Sequence, residues 1–280
     1  MANSKIVLSD GNKIPSIGFG TWLHADPELL EKSLEAALET GYRHIDTATL
    51  YGNEHVIGNV LKRWFDQGKL KREEVFVTTK LPPNALRPLQ VIDTLRLSLE
   101  KLQLTMVRLT WTEEQLKRIV GEAKILPANI QVEMHAYFQQ RSLRALCKEL
   151  GVSITAYSVL GSSGRSEFHA AFKAPFTDMG ILDDPVVKEI SEKLNKTPAQ
   201  ILMRFLLQLN VIVLCKSAKP ERVRENIDVF NFKLSPEDVS RLEKLDKDLE
   251  GRSFAWTILP GILQHPEYPY KEVLFASISV

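Results

Sequence analysis

Short runs rich in β-branched and aromatic residues alternate along the chain with longer amphipathic stretches. Strands that alternate with helices indicate βαβ units and parallel strand pairing, because each helix returns the chain to the same edge of the sheet. The runs that predict strands lie at 16–22, 42–48, 74–81, 106–111, 129–135, 152–161 and 211–218. We therefore expect one α/β fold built on a parallel sheet.

The amphipathic stretches predict helices with ordinary start signals. The first begins with Asp26 as a candidate N-cap and Pro27 at the first helical position, and Gly41 suits its left-handed C-terminal position. The predicted helices cover 26–42, 53–65, 88–103, 112–124, 139–151, 184–195, 197–210, 219–230 and 235–249.

The choice between a closed barrel and an open, doubly wound sheet depends on the first strand. A doubly wound dinucleotide-binding sheet carries G-x-G-x-x-G after that strand, and "GFGTW" does not match this pattern. Without that fingerprint, the alternation of strands and helices favours a TIM (β/α)₈-type barrel, which needs eight strands. The prediction finds seven, so we expect an incomplete barrel.

Length and composition exclude several classes of protein. A chain of 280 residues fits a single barrel domain, which we assign to 1–280. Lys and Arg number 36 against 35 Asp and Glu, and this balance predicts no nucleic-acid partner. No apolar run approaches the ~20 residues of a membrane span, and two cysteines make no disulfide framework. We expect a cytoplasmic monomer that carries no signal peptide.

Three polar residues follow two neighbouring strands and are candidates for catalysis. Asp46 lies near the end of one strand, Tyr51 in the loop after it, and Lys80 at the end of the next strand. Barrel enzymes place catalytic groups at this face. Lys80 beside Tyr51 would lower the pKa of the phenol, and Asp46 would keep the lysine charged. The alternative is a structural ion pair between Asp46 and Lys80, with Tyr51 capping a loop.

Several longer motifs resemble the aldo-keto reductase family, in order, from residue 5 to about 271. They are "GFGTW", "HIDTATLYGNE", "VTTKLPP", "PANIQVEMHAYFQQ", "AYSVLG", "KSAKPERVRENIDVF" and "HPEYPYKE". The chain is most similar to the aldose and aldehyde reductase branch. The resemblance implies an NADPH-dependent carbonyl reductase in which Tyr51 is the proton donor. Asp46 and Lys80 support it, and Trp22 forms a wall of the pocket for a small carbonyl substrate.

The resemblance also implies where NADPH or NADP⁺ binds; no metal ligands are expected. Lys216, Ser217 and Arg222 match the segment that holds the adenosine 2′-phosphate, and cations near a helix start suit an anion. Tyr157 would stack on the nicotinamide and Gln131 would bind its carboxamide. The other cofactor positions are Gly20, Thr21, Asp46, Ser158, Leu160, Ser162, Glu225 and Asn226.

The stretch "MVRLTWTEEQLK" at 106–117 departs from the family pattern. In relatives a strand ends here in a catalytic His, and a long loop, the fourth helix and a fifth strand ending in Ser-Asn precede "EQL". This chain passes through Thr110 and Trp111 directly into the next helix, and it has no His between His55 and His135. We interpret the seam at 109–112, after Leu109, as an internal deletion, which an exon-skipped transcript or an incomplete gene model would produce.

The seam bears on activity, because loss of one donor to a developing oxyanion typically costs about 10²–10³ in rate. The first hypothesis is a carbonyl reductase of reduced activity. An alternative is an NADP(H)-binding or splice-variant protein without reductase activity. A third is a chain that does not fold stably.

Overall fold

The computed structural model describes residues 4–82, 88–104, 127–173 and 176–254. A short antiparallel hairpin comes first, formed by β1 (Lys5–Val7) and β2 (Lys13–Pro15). Leu8 and Ile14 of this segment pack with Ile212, so the hairpin covers the amino-terminal end of the sheet. The sequence analysis did not predict this hairpin.

Six parallel strands form one sheet. They are β3 (Ile17–Gly20), β4 (His44–Asp46), β5 (Phe76–Thr78), β6 (Asn129–Glu133), β7 (Ser153–Tyr157) and β8 (Ile212–Cys215). Their order across the sheet is β5-β4-β3-β8-β7-β6. This order confirms the predicted parallel α/β fold, and six of the seven predicted strands are present in shorter form. The seventh, at 106–111, lies outside the described residues, as does the predicted helix at 112–124.

The helices follow the strands as predicted, with tighter bounds. They are α1 (Pro27–Glu39), α2 (Glu54–Asp66), α3 (Pro88–Leu102), α4 (Arg141–Leu150), α5 (Ser166–Ala171), α6 (Pro185–Leu194), α7 (Pro198–Gln208), α8 (Pro220–Ile227) and α9 (Pro236–Glu243). The short α5 was not predicted. The last helix ends earlier than the prediction of 235–249, and Asp248–Gly251 forms a separate 3₁₀ turn.

Side-chain caps fix where these helices begin. Asp26 Oδ1 accepts hydrogen bonds from the backbone N–H groups of Glu28 at 2.9 Å and Leu29 at 3.2 Å. Thr197 and Gln200 form a reciprocal capping box at the start of α7. Gly41 has φ +98°, which places it in the left-handed position expected after α1.

The helices pack side by side in the same order as their strands, with α1 between α2 and α8. The main core lies between this layer and the sheet, and it includes Leu34, Ile45, Ile57 and Val213, all fully buried. α2 and α3 approach closely at Gly58, where a Cβ atom would lie 2.3 Å from the carbonyl oxygen of Lys101. No helix in the described part of the chain is long and apolar enough to cross a membrane.

Candidate active site

The candidate residues lie at the carboxyl ends of the parallel strands. Asp46 is the last residue of β4 and Tyr157 the last of β7, while Lys216 follows β8 directly. Lys80 follows β5 by two residues, and Gln131 lies within β6. Because all these strands run in the same direction, their ends meet at one edge and bring the side chains together.

Asp46 and Lys80 form a largely buried ion pair. Lys80 Nζ lies 2.5 Å from Asp46 Oδ1 and donates a second hydrogen bond to the carbonyl oxygen of Thr47 at 2.9 Å. The side chains are 6% and 18% exposed for Asp46 and Lys80. Burial works to lower the pKa of Lys80, but the charge of Asp46 and the hydrogen bonds of Lys80 to Asp46 and Tyr51 outweigh it and raise the pKa, so the lysine is held as an ammonium.

Tyr51 lies beside this ion pair, at the end of the 3₁₀ turn Thr49–Tyr51. The ammonium of Lys80 is 5.1 Å from the centre of the phenol ring. Burial raises the pKa of Tyr51; the charge of Lys80 and its hydrogen bond to the phenol oppose this rise, and Asp46 adds to it. The sequence analysis expected the pKa of the phenol to be lowered. This expectation is wrong, because desolvation of the phenolate outweighs the nearby cation and the net shift is upward.

Two buried side chains hold the loop that carries Tyr51. Asn53 accepts a hydrogen bond from Thr47 Oγ1 at 3.0 Å and donates to the carbonyl oxygen of Thr21 at 2.9 Å. Glu54 accepts from Thr79 Oγ1 at 2.7 Å and from Ser98 Oγ at 3.2 Å. These contacts tie the loop to the segments on either side of it. The sequence analysis missed both residues as site supports, although they end the motif "HIDTATLYGNE".

The predicted cofactor residues surround the same edge. Gly20 ends β3, and Thr21 donates to the carbonyl oxygen of Asp46 at 2.9 Å. After β7, Ser158 and Ser162 both have positive φ, and Ser162 Oγ donates to Ser158 Oγ at 2.8 Å. Leu160 lies between them and is partly buried.

The residues predicted to bind the 2′-phosphate begin at the end of β8 and continue into α8. Lys216 is exposed, Ser217 accepts a hydrogen bond from the backbone N–H of Lys219 at 3.1 Å, and Arg222 is exposed in the first turn of the helix. Glu225 accepts from Thr197 Oγ1 at 2.9 Å, and Asn226 is buried.

Gln131 has a partner that the sequence did not predict. Its Nε2 donates to Asp46 Oδ2 at 2.6 Å, so the side chain expected at a carboxamide contacts the carboxylate of Asp46 instead. Trp22 lies at the same edge, with Phe168 and Phe254 both 5.4 Å away between ring centres.

The fold and this edge define a class of protein. A parallel α/β sheet curled as part of a barrel, with a carboxylate, an ammonium and a phenol at its carboxyl edge, is the arrangement of a TIM-barrel oxidoreductase. The Aldo/keto reductase family model matches residues 16–111 and 109–247. The chain belongs to the aldo/keto reductase family. The two matched segments overlap at 109–111. This is the place where the sequence analysis predicts that a segment of the family pattern is missing from this chain.

Similar proteins cover almost the whole chain. Aldo-keto reductase family 1 member A1 of Sus scrofa is 34% identical over 330 residues, with 97% of this chain and 99% of that protein covered. Rho crystallin of Rana temporaria is 32% identical, with 96% and 98% covered. An aldose reductase structure from Schistosoma japonicum has a TM-score of 0.82 at 28% identity and covers 96% of this chain and 99% of that one. An aligned span of 330 residues exceeds the 280 residues of this chain, so such relatives carry segments that have no counterpart here.

Proposed function

We propose that this protein reduces a small-molecule carbonyl compound with NADPH and that Tyr51 is the proton donor. The observation that supports the proposal best is the ion pair of Lys80 and Asp46 beside the phenol of Tyr51. A general acid must be able to release its proton and have its anion stabilised. An ammonium next to the phenol supplies that stabilisation in a site where water is largely excluded.

Three residues of the chain, Tyr51, Lys80 and Asp46, each have a role in this proposal. When bound, NADPH supplies the hydride that reduces the carbonyl carbon. Tyr51 Oη donates its proton to the carbonyl oxygen, and Lys80 stabilises the phenolate that remains. Asp46 keeps Lys80 charged and in place. The raised pKa of Tyr51 means that the phenol is protonated at neutral pH, as a proton donor must be.

The residues at the β8–α8 connection fit the phosphate of NADPH. Lys216 and Arg222 are exposed cations that flank the start of an eight-residue helix, and Ser217 adds a hydroxyl. Although Lys216 is exposed overall, partial burial of its side chain lowers its pKa, and the charge of Glu167 opposes this. A phosphate dianion would favour the charged form of that lysine. An arginine near this position favours NADP over NAD, because NAD has no 2′-phosphate.

Titration of the purified protein with NADPH and NADH, followed by tryptophan fluorescence, tests the cofactor. We expect tighter binding of NADPH, and we expect Arg222→Ala to weaken NADPH while leaving NADH unchanged. Arg224→Ala is the matched control, since Arg224 is on the same helix and pairs with Glu39 at 3.5 Å. Equal affinity for both nucleotides would contradict the proposal.

A second candidate function is NADP(H) binding without reduction. It is favoured by the absence of any His between His55 and His135, where the resemblance implies a second donor to the carbonyl oxygen. Aldehyde-dependent oxidation of NADPH separates the two candidates. Binding without turnover would favour this second one.

We further propose that residues 1–280 act as one domain and that the protein is a cytoplasmic monomer. One cooperative melting transition would support the single domain, and the mass of a single chain by light scattering would support the monomer.

A further inference from the structure

Ser98 is a fully buried serine on α3 whose hydroxyl reaches the loop that carries Tyr51. Its Oγ donates a hydrogen bond to Glu54 Oε2 at 3.2 Å and lies 3.1 Å from Thr49 Oγ1. Thr49 comes two residues before Tyr51, and Glu54 comes three residues after it. One hydroxyl from a neighbouring helix therefore contacts the loop on both sides of the phenol.

The same contacts reach the segment that carries Lys80. Thr49 donates to the carbonyl oxygen of Lys80 through its hydroxyl at 3.0 Å and through its backbone N–H at 3.3 Å. Glu54 uses its other oxygen, Oε1, to accept from Thr79 Oγ1 at 2.7 Å, and Thr79 precedes Lys80 directly. Two routes thus join Ser98 to the residues that follow β5, one through Thr49 and one through Glu54.

The hydroxyls of Ser98 and Thr49 share two protons among three contacts. A serine hydroxyl has one proton and two acceptor lone pairs. Because the proton of Ser98 goes to the charged oxygen of Glu54, its lone pairs remain available to the hydroxyl of Thr49. Ser98→Ala leaves Oε2 of Glu54 without this donor and removes one of the two acceptors of the Thr49 hydroxyl. The loop then loses its attachment to α3.

The separation of the phenol from the ammonium depends on this attachment. Lys80 Nζ lies 5.1 Å from the centre of the Tyr51 ring and is held on its other side by Asp46 at 2.5 Å. The ammonium is therefore fixed by its ion pair, whereas the phenol follows the loop. Attraction between a cation and a phenolate falls as their separation grows, and it is strongest where water is excluded.

We propose that Ser98 is a positioning residue that holds the phenol of Tyr51 against the ammonium of Lys80. It acts through Thr49 and Glu54, which flank the phenol and bind the segment of the lysine. The inference deepens the proposed function and rests on it for the role of Tyr51 as the proton donor.

The position of Tyr51 can be measured without turnover. The chain has six tyrosines, and tyrosine labelled with ¹³C at Cζ gives one signal for each, with Tyr51→Phe assigning that of Tyr51. We expect Ser98→Ala to displace the Tyr51 signal, because the phenol then lies at a different distance from the ammonium. An unmoved Tyr51 signal in folded Ser98→Ala protein would overturn the positioning role.

Ser33→Ala is the matched control for this measurement. Ser33 is also fully buried on a helix, and its hydroxyl donates to two backbone carbonyl oxygens away from the loop of Tyr51. This variant loses buried hydrogen bonds as Ser98→Ala does, and we expect its Tyr51 signal to stay in place. Equal displacements in the two variants would show a general loosening of the fold and would overturn the role of Ser98.

Ser98→Cys keeps the test decisive if Ser98→Ala does not fold. It retains a side chain of similar size, but its thiol is only a weak hydrogen-bond donor. A smaller displacement of the Tyr51 signal in this variant supports the attachment. No displacement contradicts it.

Kinetics separate a failure of this inference from a failure of the proposed function. We expect Ser98→Ala to lower kcat for aldehyde reduction by about 10- to 100-fold, since a displacement of about 1 Å costs up to about 10²-fold. The Kd for NADPH should not change. An unchanged kcat, or a loss confined to NADPH affinity, would overturn the role of Ser98 in the reduction. If wild type shows no turnover at all, the proposed function fails, whereas the Tyr51 signal still decides whether Ser98 positions the phenol.

Discussion

Gln131 and Asp46 meet across the carboxyl edge of the sheet, with Gln131 Nε2 2.6 Å from Asp46 Oδ2. Gln131 belongs to β6 and Asp46 to β4, and β3, β8 and β7 lie between them in the sheet. Two side chains so far apart in strand order can touch only if the sheet is strongly curled. The contact also engages the second oxygen of Asp46, since the first one binds Lys80.

The first prediction concerns the energy of this contact. A hydrogen bond to a charged group contributes about 1.5–3 kcal/mol, so Gln131→Met and Asp46→Ala should be coupled by about that amount in urea unfolding. Each single variant loses the contact, and the double variant loses the same contact only once. The losses of the two single variants should therefore sum to more than the loss of the double variant. Free energies of unfolding that add within about 0.5 kcal/mol would show that the two residues do not interact.

The strands were predictable from the sequence because they are buried on both faces. Every residue of β8 is buried, and "VIVLCKSA" is apolar over the same stretch. The β1–β2 hairpin had a signal that was not used. Asp10-Gly11 separates its strands, and Gly11 has φ +81°. The bounds of the last helix were too long because its sequence stays amphipathic beyond Glu243, where the chain leaves the helix.

The contacts within the site were harder to predict. The sequence places Asp46, Tyr51 and Lys80 at neighbouring strand ends, and this local spacing indicates their proximity. The bond between Gln131 and Asp46 depends on the curvature of the whole sheet, which no local pattern reports. Glu54 and Ser98 were missed because residues of these types are usually exposed.

The second prediction is a pH dependence that arises from His44. Its ring is 1% exposed, and burial lowers its pKa to about 4, with Lys80 acting in the same direction and Asp46 against it. Below the ordinary pKa of 6.5 the unfolded chain binds a proton that the folded protein does not. Stability due to neutral His44 is thus complete above pH 6.5 and is lost as pH falls toward 4.

Urea unfolding measured across that pH range checks this prediction. On acidification, the free energy of unfolding of His44→Gln should fall by about 3 kcal/mol less than that of wild type. This difference corresponds to the shift in the pKa of His44. His55→Gln is the matched control, since His55 is exposed on α2. Parallel curves for wild type and His44→Gln would contradict the prediction.

The third prediction concerns Glu54, which is 1% exposed and accepts from Thr79 and Ser98. Glu54→Ala leaves the buried hydroxyl of Thr79 without this acceptor, whereas Ser98 keeps its contact with Thr49 Oγ1 at 3.1 Å. We expect a loss of about 1–3 kcal/mol in the free energy of unfolding for the unpaired hydroxyl. Glu73→Ala, at an exposed position, should have little effect. Similar thermal melting of the two variants would show that Glu54 does not hold the loop.

The last prediction tests the central claim, that Tyr51 donates the proton in an NADPH-dependent reduction. Aldehyde-dependent oxidation of NADPH is measured for wild type, for Tyr51→Phe and for Tyr137→Phe, a control that removes a phenol bonded to Asp184 instead. The account predicts measurable turnover by wild type and the control, and a fall of about 10²- to 10⁴-fold for Tyr51→Phe, the usual contribution of a general acid. Turnover by Tyr51→Phe equal to wild type, or no turnover by wild type at all, would contradict it.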